Sequence, residues 1–270
     1  MNKIGIFQGR LSKSHENKIQ SFPFDTWELE FELANKIGFE LIEWIIGDEI
    51  DNNPLFNLKN KDKINRLKRI SKIDINHICL DYLMNLSFLE KETRKIFLYI
   101  FNNIVDNFQI KNIELPMLGK SRITKNNMKE YIAFFKEIDV LLIQKNNINI
   151  LIETDLKPQD ISLFINNFKS KRILINYDTG NSIMWGYKEE IELNTYGDMI
   201  GSVHIKDCTK RDYSVPLGNG DVNFNNVLKL LYKKNYKYDF ILQPARNGND
   251  FMNSKNNYNF FKKKCDESFK

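Results

Sequence analysis

The sequence predicts an α/β fold of the closed (β/α)8 TIM-barrel class, and three observations carry that expectation. Eight short apolar, β-branched segments recur along the chain, each is followed by a loop and a longer amphipathic stretch, and no linker or break in composition interrupts the rhythm. Such barrels occupy about 250 residues as one domain, so the 270 residues are expected to form one barrel over 1–270.

The first strand is expected at residues 3–7, followed by a long loop at 9–24 and a helix at 25–37 that Gly38 closes as a C-cap. The second and third strands fall at 40–46 and 76–80, and a helical pattern at 91–108 leads into the fourth strand at 112–115. A helix at 125–145 precedes strand five at 149–153, and Pro158 sits where the next helix should start. Strands six, seven and eight follow at 173–178, 200–206 and 239–243. A second long loop at 208–223, a helix at 224–234 and a last one at 254–264 complete the pattern. The two long loops follow strands one and seven, on the face where barrel enzymes build their sites.

Composition narrows the function. Hydrophobic residues make up 42% and aromatics 13%, enough for a packed core and unlike a disordered chain. The net charge of +5 is spread over scattered lysines without a basic arm, so no nucleic-acid partner is expected, and Lys262–Lys264 reads as a solvated helix end. The amino terminus turns polar by Gln8, and no run of about 18 apolar residues could span a bilayer, so a soluble cytoplasmic protein without a membrane partner is expected. Cys79, Cys208 and Cys265 match neither a disulfide framework nor a metal clip, and read as reduced thiols.

Four strand ends set a polar residue just past an apolar run: 150–153 (ILIE), 175–181 (INYDTGN), 203–207 (VHIKD) and 240–244 (FILQP). Carboxyl ends of neighbouring strands converge in a parallel barrel, so Glu153, Asp178, His204 and Gln243 can meet although far apart in sequence. Two carboxylates, an imidazole and an amide oxygen suit one divalent cation. The plainer alternative is that each caps a helix or bonds within a loop. Arg10, Arg211 and Arg246 follow strands one, seven and eight and are candidates to clamp a phosphate or carboxylate, against the alternative of surface solvation. Glu43 and Trp44 end strand two, where the carboxylate could orient a ligand or meet substrate hydroxyls and the indole could stack on a sugar; both could equally be barrel packing. His77 reads as a core histidine and His15 as a loop residue.

The strand-end motifs, together with 5–12 (GIFQGRLS), 22–27 (FPFDTW), 38–44 (GFELIEW), 79–82 (CLDY), 215–220 (VPLGNG) and 241–246 (ILQPAR), resemble the xylose-isomerase-like sugar phosphate isomerases and epimerases over almost the whole chain. The resemblance implies one divalent metal ion (Mn, Mg, Co or Zn) held at Glu153, Asp178, His204 and position 243, and a small sugar or sugar phosphate as partner; a homodimer is allowed for. It also implies proton transfer through an enediolate with Glu153 as base. Gln243 departs from the family's glutamate on strand eight: an amide oxygen can still ligate, but it cannot exchange a proton. One base suffices for aldose–ketose isomerisation, whereas 3-epimerisation needs a second group, for which Lys206, two residues after His204, and Glu114 are the candidates. The same departure keeps open another metal-assisted sugar-acid reaction of dehydratase or lyase type, and a non-catalytic sugar-binding barrel. A multi-zinc endonuclease of this superfamily would need many histidines, and the chain has three.

Overall fold

The computed structural model describes residues 2–13, 18, 20–145, 147–246 and 248–268; His15 lies outside them. Eight parallel strands close a barrel in sequence order: β1 (Ile4–Phe7), β2 (Leu41–Ile45), β3 (Asp74–Cys79), β4 (Asn112–Pro116), β5 (Asn149–Glu153), β6 (Ile173–Asp178), β7 (Ile200–Ile205) and β8 (Phe240–Leu242). Closure is made by β8 returning to β1, with Ile4, Gly5 and Ile6 paired to Phe240, Ile241 and Leu242.

The helical layer consists of α1 (Trp27–Ile37), α2 (Lys61–Ser71), α3 (Lys91–Tyr99), α4 (Val105–Phe108), α5 (Met128–Gln144), α6 (Pro158–Ile165), α7 (Thr179–Met184), α8 (Glu189–Tyr196), α9 (Phe224–Lys233) and α10 (Asp250–Ser268). The expected helix at 91–108 is α3 and α4 joined by a π-helical turn, Ile100–Ile104, and the last helix runs well beyond 254–264 at both ends. Local punctuation acts as its chemistry requires. Gly38 ends α1 in the left-handed region at φ 109°, donating its N–H to the Ala34 carbonyl, and Pro158 opens α6, where a missing N–H costs nothing.

Every strand is buried on both faces, as parallel strands under a helical layer must be. Side-chain alternation gives the two faces different jobs. On β2, Trp44 points outward and packs against Phe22 and against Trp27 and Phe31 of α1, with its Nε1–H donated to Asn53. Its neighbour Glu43 points inward and reaches His204 on the opposite wall. The barrel interior below the carboxyl ends is therefore strongly polar, with Glu43, His77, Asn112, Glu114, Asn176, Ser202 and His204 all buried. No described helix is long and apolar enough to cross a membrane.

Outside the barrel, Glu192 on α8 accepts hydrogen bonds from Tyr196 Oη at 2.8 Å and from Ser182 Oγ, and burial pushes its pKa up to about 7. A carboxyl raised in the folded state keeps its proton there while the unfolded chain has lost it, so stability falls as pH rises from the ordinary carboxylate range through 7. Glu192→Gln is expected to flatten that fall and to be more stable than wild type at pH 8 by about 1–3 kcal/mol. Urea denaturation at pH 5 and pH 8 measures it; an unchanged pH slope in the variant would assign the effect to another group.

Candidate metal centre and active site

The carboxyl ends of the strands open into a cavity of about 240 Å³ whose wall includes Glu153, Asp178, His204, Lys206 and Gln243. Glu153 ends β5, Asp178 ends β6, and the β6–β7 register sets Asp178 directly beside His204. One donor atom from each of Glu153, Asp178 and His204 lies within 4.8 Å of the others. Gln243 follows β8 and places its side-chain amide 2.9 Å from His204 Nδ1.

Neighbours hold each donor in place. Glu153 accepts from Asn176 Nδ2 at 3.2 Å and from Asn181 Nδ2 at 2.6 Å, so both carboxylate oxygens are oriented. Asp178 caps α7, its Oδ1 accepting from the Gly180 and Asn181 N–H groups at 2.8 Å each. The plainer sequence reading of Asp178 as a cap is thus correct without removing it from the cluster, because the cap uses one oxygen. His204 turns Nε2 to Glu43 at 2.7 Å and Nδ1 toward the cavity, 3.6 Å from Glu153.

Burial and the nearby Asp178 carboxylate push Glu153 up to about 7. Burial opposes charge on His204, but Glu43, Glu153 and Asp178 outweigh it and raise its pKa. Two crowded carboxylates and an imidazole nitrogen, all buried, are a donor set that fits a divalent cation, whose charge would relieve their mutual repulsion.

Lys206 is buried, with Nζ 3.0 Å from Asn181 Oδ1 and over the Tyr213 ring at 3.5 Å. Burial works against its charge, but Asp178, Tyr213 and Glu153 hold its pKa above the ordinary lysine value, so it is an ammonium. Gly180 packs closely against it: a Cβ there would lie 2.8 Å from Lys206 Cγ, so the lysine would have to shift. The loop after β7 is pinned by Asp207, which accepts from the N–H groups of Cys208, Gly218, Gly220 and Val222.

Other sequence candidates separate. Arg10 reaches the cavity, nearly fully buried, with Nη1 bonded to the Pro244 carbonyl and Nε without a hydrogen-bond partner. Glu114 also lines the cavity, and burial together with Glu153 and Glu43 keeps its pKa well above the usual range. Three expectations are corrected. Trp44 lies on the outer face of β2, where it packs against α1 and has no sugar to stack on. Glu43 is fully buried beneath His204 and touches that imidazole in place of substrate hydroxyls. Arg211 is exposed outside the cavity wall, and Arg246 braces the loop after β1 through the Ser12 and Gly9 carbonyls and pairs with Asp250, so neither clamps a ligand in this cavity.

Sequence reasoning passed over Asn176, Asn181, Gln20 and Asp81. The two asparagines stand within the 175–181 motif, Asn176 two residues before Asp178 and Asn181 three after it, but nothing in that run tells a carboxylate-holding amide from a turn residue. Gln20 and Asp81 come from loops far apart in sequence and meet at 2.5 Å beside Arg10, whose Nη2 contacts Gln20.

The chain matches the family model described as xylose isomerase-like TIM barrel over residues 31–262. A Haemophilus influenzae protein named "Putative L-ribulose-5-phosphate 3-epimerase SgbU" is 26% identical over 264 residues, which cover 90% of this chain and 88% of that one. Among solved structures, a D-psicose 3-epimerase with D-tagatose from Clostridium cellulolyticum H10 superposes with a TM-score of 0.73 at 13% identity, covering 97% of this chain and 99% of that one. A xylose isomerase-like TIM barrel protein from Mycobacterium smegmatis in complex with magnesium gives a TM-score of 0.75 at 14% identity, covering 100% and 98%. At those identities the structural likeness speaks for the fold alone, while the family model spans most of the barrel, and this chain belongs to the xylose isomerase-like TIM barrel family.

Proposed function

We propose that the protein is a divalent-metal-dependent isomerase or epimerase acting on a sugar or sugar phosphate by proton transfer through an enediolate. The observation that carries this reading is the buried cluster of Glu153, Asp178 and His204 at the cavity wall. These three residues, with the Gln243 amide oxygen after a side-chain flip, would hold the cation, which when bound would polarise the substrate carbonyl and acidify the neighbouring carbon.

Glu153 then removes the proton. Asn176 and Asn181 fix the direction in which its carboxylate faces. Lys206 is an ammonium in the same wall, so it can stabilise developing negative charge on the substrate or donate a proton, but it does not begin as a base. Arg10, with a buried unpartnered Nε, is the group placed to take a phosphate or another anionic end of the substrate. The relative named for L-ribulose 5-phosphate agrees with a phosphorylated pentulose as the first compound to try.

Metal analysis of the purified protein, then a panel of sugars and sugar phosphates in deuterated water, tests this reading. Deuterium is expected at the carbon beside the carbonyl; a metal-free protein that exchanges no proton in any substrate would remove it. Gln243 favours a second reading, a metal-assisted sugar-acid dehydration, which the same panel extended to sugar acids reveals as loss of water from the substrate.

Replacing the amide separates isomerisation from epimerisation. Gln243→Glu puts a further carboxylate, at the end of β8, on the wall beside His204, and 3-epimerase activity is expected to appear or to rise by about 10-fold or more. If wild type already epimerises at that carbon and the variant does not improve on it, another group such as Lys206 or Glu114 supplies the second path.

A further inference from the structure

The polar groups inside the barrel are ordered rather than scattered. Glu43, His77, Asn112 and Asn149 are successive partners in the strand registers β2–β3, β3–β4 and β4–β5, so their side chains point inward at one level beneath the cavity. Contacts follow that level. His77 Nδ1 lies 3.8 Å from Glu43 Oε1, Nε2 lies 3.2 Å from Asp239 Oδ2, and the Asn112 amide lies 2.8 Å from the same nitrogen. Asn149 donates to Asn112 Oδ1 at 2.9 Å, and the Lys3 N–H donates to Asp239 Oδ1 at 3.0 Å.

Glu43 is fully buried, and such a carboxylate is stable only against positive charge. It has two imidazoles, one on each side. His204 faces the cavity, while His77 does not line it and touches none of the residues assigned above to the cation. His77 is also backed by Asp239, which favours its charged form, and burial notwithstanding its pKa rises to about 8.

We infer that His77 is a positioning residue that acts through Glu43 to hold the His204 ring with Nε2 against Glu43 and Nδ1 toward the cavity. The physical logic is that the Glu43 carboxylate, 2.7 Å from Nε2, holds one edge of the ring and leaves Nδ1 as the nitrogen that faces the cavity. If His77 is removed, Glu43 loses one of its two flanking imidazoles and is freer to swing, and its hold on the His204 ring weakens. This inference rests on the metal reading for its consequence, but its first effect is on His204 itself.

The chain has three histidines, which makes the test practicable. Long-range nitrogen–proton spectra of His77→Leu, His77→Gln and Asp239→Asn would follow the Nε2 proton of His204, and Zn²⁺ titration would follow affinity. In His77→Leu that proton is expected to exchange more than about 10-fold faster, with Zn²⁺ affinity lower by about 10–100-fold, the range for groups behind a metal ligand. His77→Gln, whose amide keeps a polar group beside Glu43, is expected to recover most of both effects. Asp239→Asn, a partly exposed site that should leave folding intact, is expected to shift both in the same direction by less. An unchanged Nε2 proton in His77→Leu and Asp239→Asn would overturn the inference, and so would equal losses in His77→Leu and His77→Gln, which mark a packing role. If Zn²⁺ does not bind even to wild type while the proton responds as stated, the metal reading fails and the positioning role stands.

Discussion

Glu153→Gln is expected to lower turnover by about 10²–10⁴-fold while substrate binding is retained. The amide keeps the size of the side chain and an oxygen that can face a cation, but it has lost the electron pair that takes a proton at neutral pH. Because Gln243 already stands where the family's second glutamate would be, no duplicate of that base remains at the strand-eight position. Two other acidic wall residues are less suited to the role. Asp178 spends Oδ1 on the α7 cap, and burial beside Glu153 and Glu43 raises the Glu114 pKa well above the usual carboxylate range. The loss should appear in kcat, with KM changed by less, since Arg10, proposed above to hold the substrate's far end, is untouched. Steady-state kinetics with metal content measured in parallel checks this. Turnover within 10-fold of wild type, at equal metal occupancy, would show that the proton is taken elsewhere.

How much of this was legible before the coordinates depended on how local each signal is. Gly38 and Pro158 act within one turn of chain, and their positions were readable. The ends of β5, β6 and β7 were readable too, because a polar residue closing an apolar strand needs only the barrel topology to be brought beside its neighbours. Glu43 and Trp44 mark where that logic stops. A parallel barrel strand is apolar on both faces, so alternation gives no sign of which of two adjacent residues points inward, and the substrate role fell to both. Arg10 and Arg246 show a second limit: both stand just past a strand, yet Arg246 is consumed by carbonyls of the loop after β1, 237 residues away in the case of Gly9. His77 was read as a core histidine from its apolar strand, which is correct for its burial but silent about Asp239, because that pairing crosses from β3 to the foot of β8.

His204→Ala and Asp178→Ala should each weaken divalent-metal binding by more than about 10²-fold, since even groups behind a ligand cost about 10–100-fold when changed. Their effects on the fold should differ, and the difference separates a ligand from a structural residue. His204→Ala leaves Glu43 buried with one of its two imidazole neighbours gone, so a measurable loss of stability is expected besides the loss of metal. Asp178→Ala removes the cap that serves the Gly180 and Asn181 N–H groups, which costs about 0.5–2 kcal/mol, and Asn181 in turn positions Glu153 and Lys206. Asp178→Asn retains a capping oxygen and lacks the charge, so it should recover the stability and not the affinity. Titration with Mn²⁺ or Co²⁺ beside thermal unfolding of the three variants measures both quantities. Affinity equal to wild type in His204→Ala and Asp178→Ala would mean that the cation is bound away from this cluster; affinity restored in Asp178→Asn would mean that the carboxylate serves the helix rather than the ion.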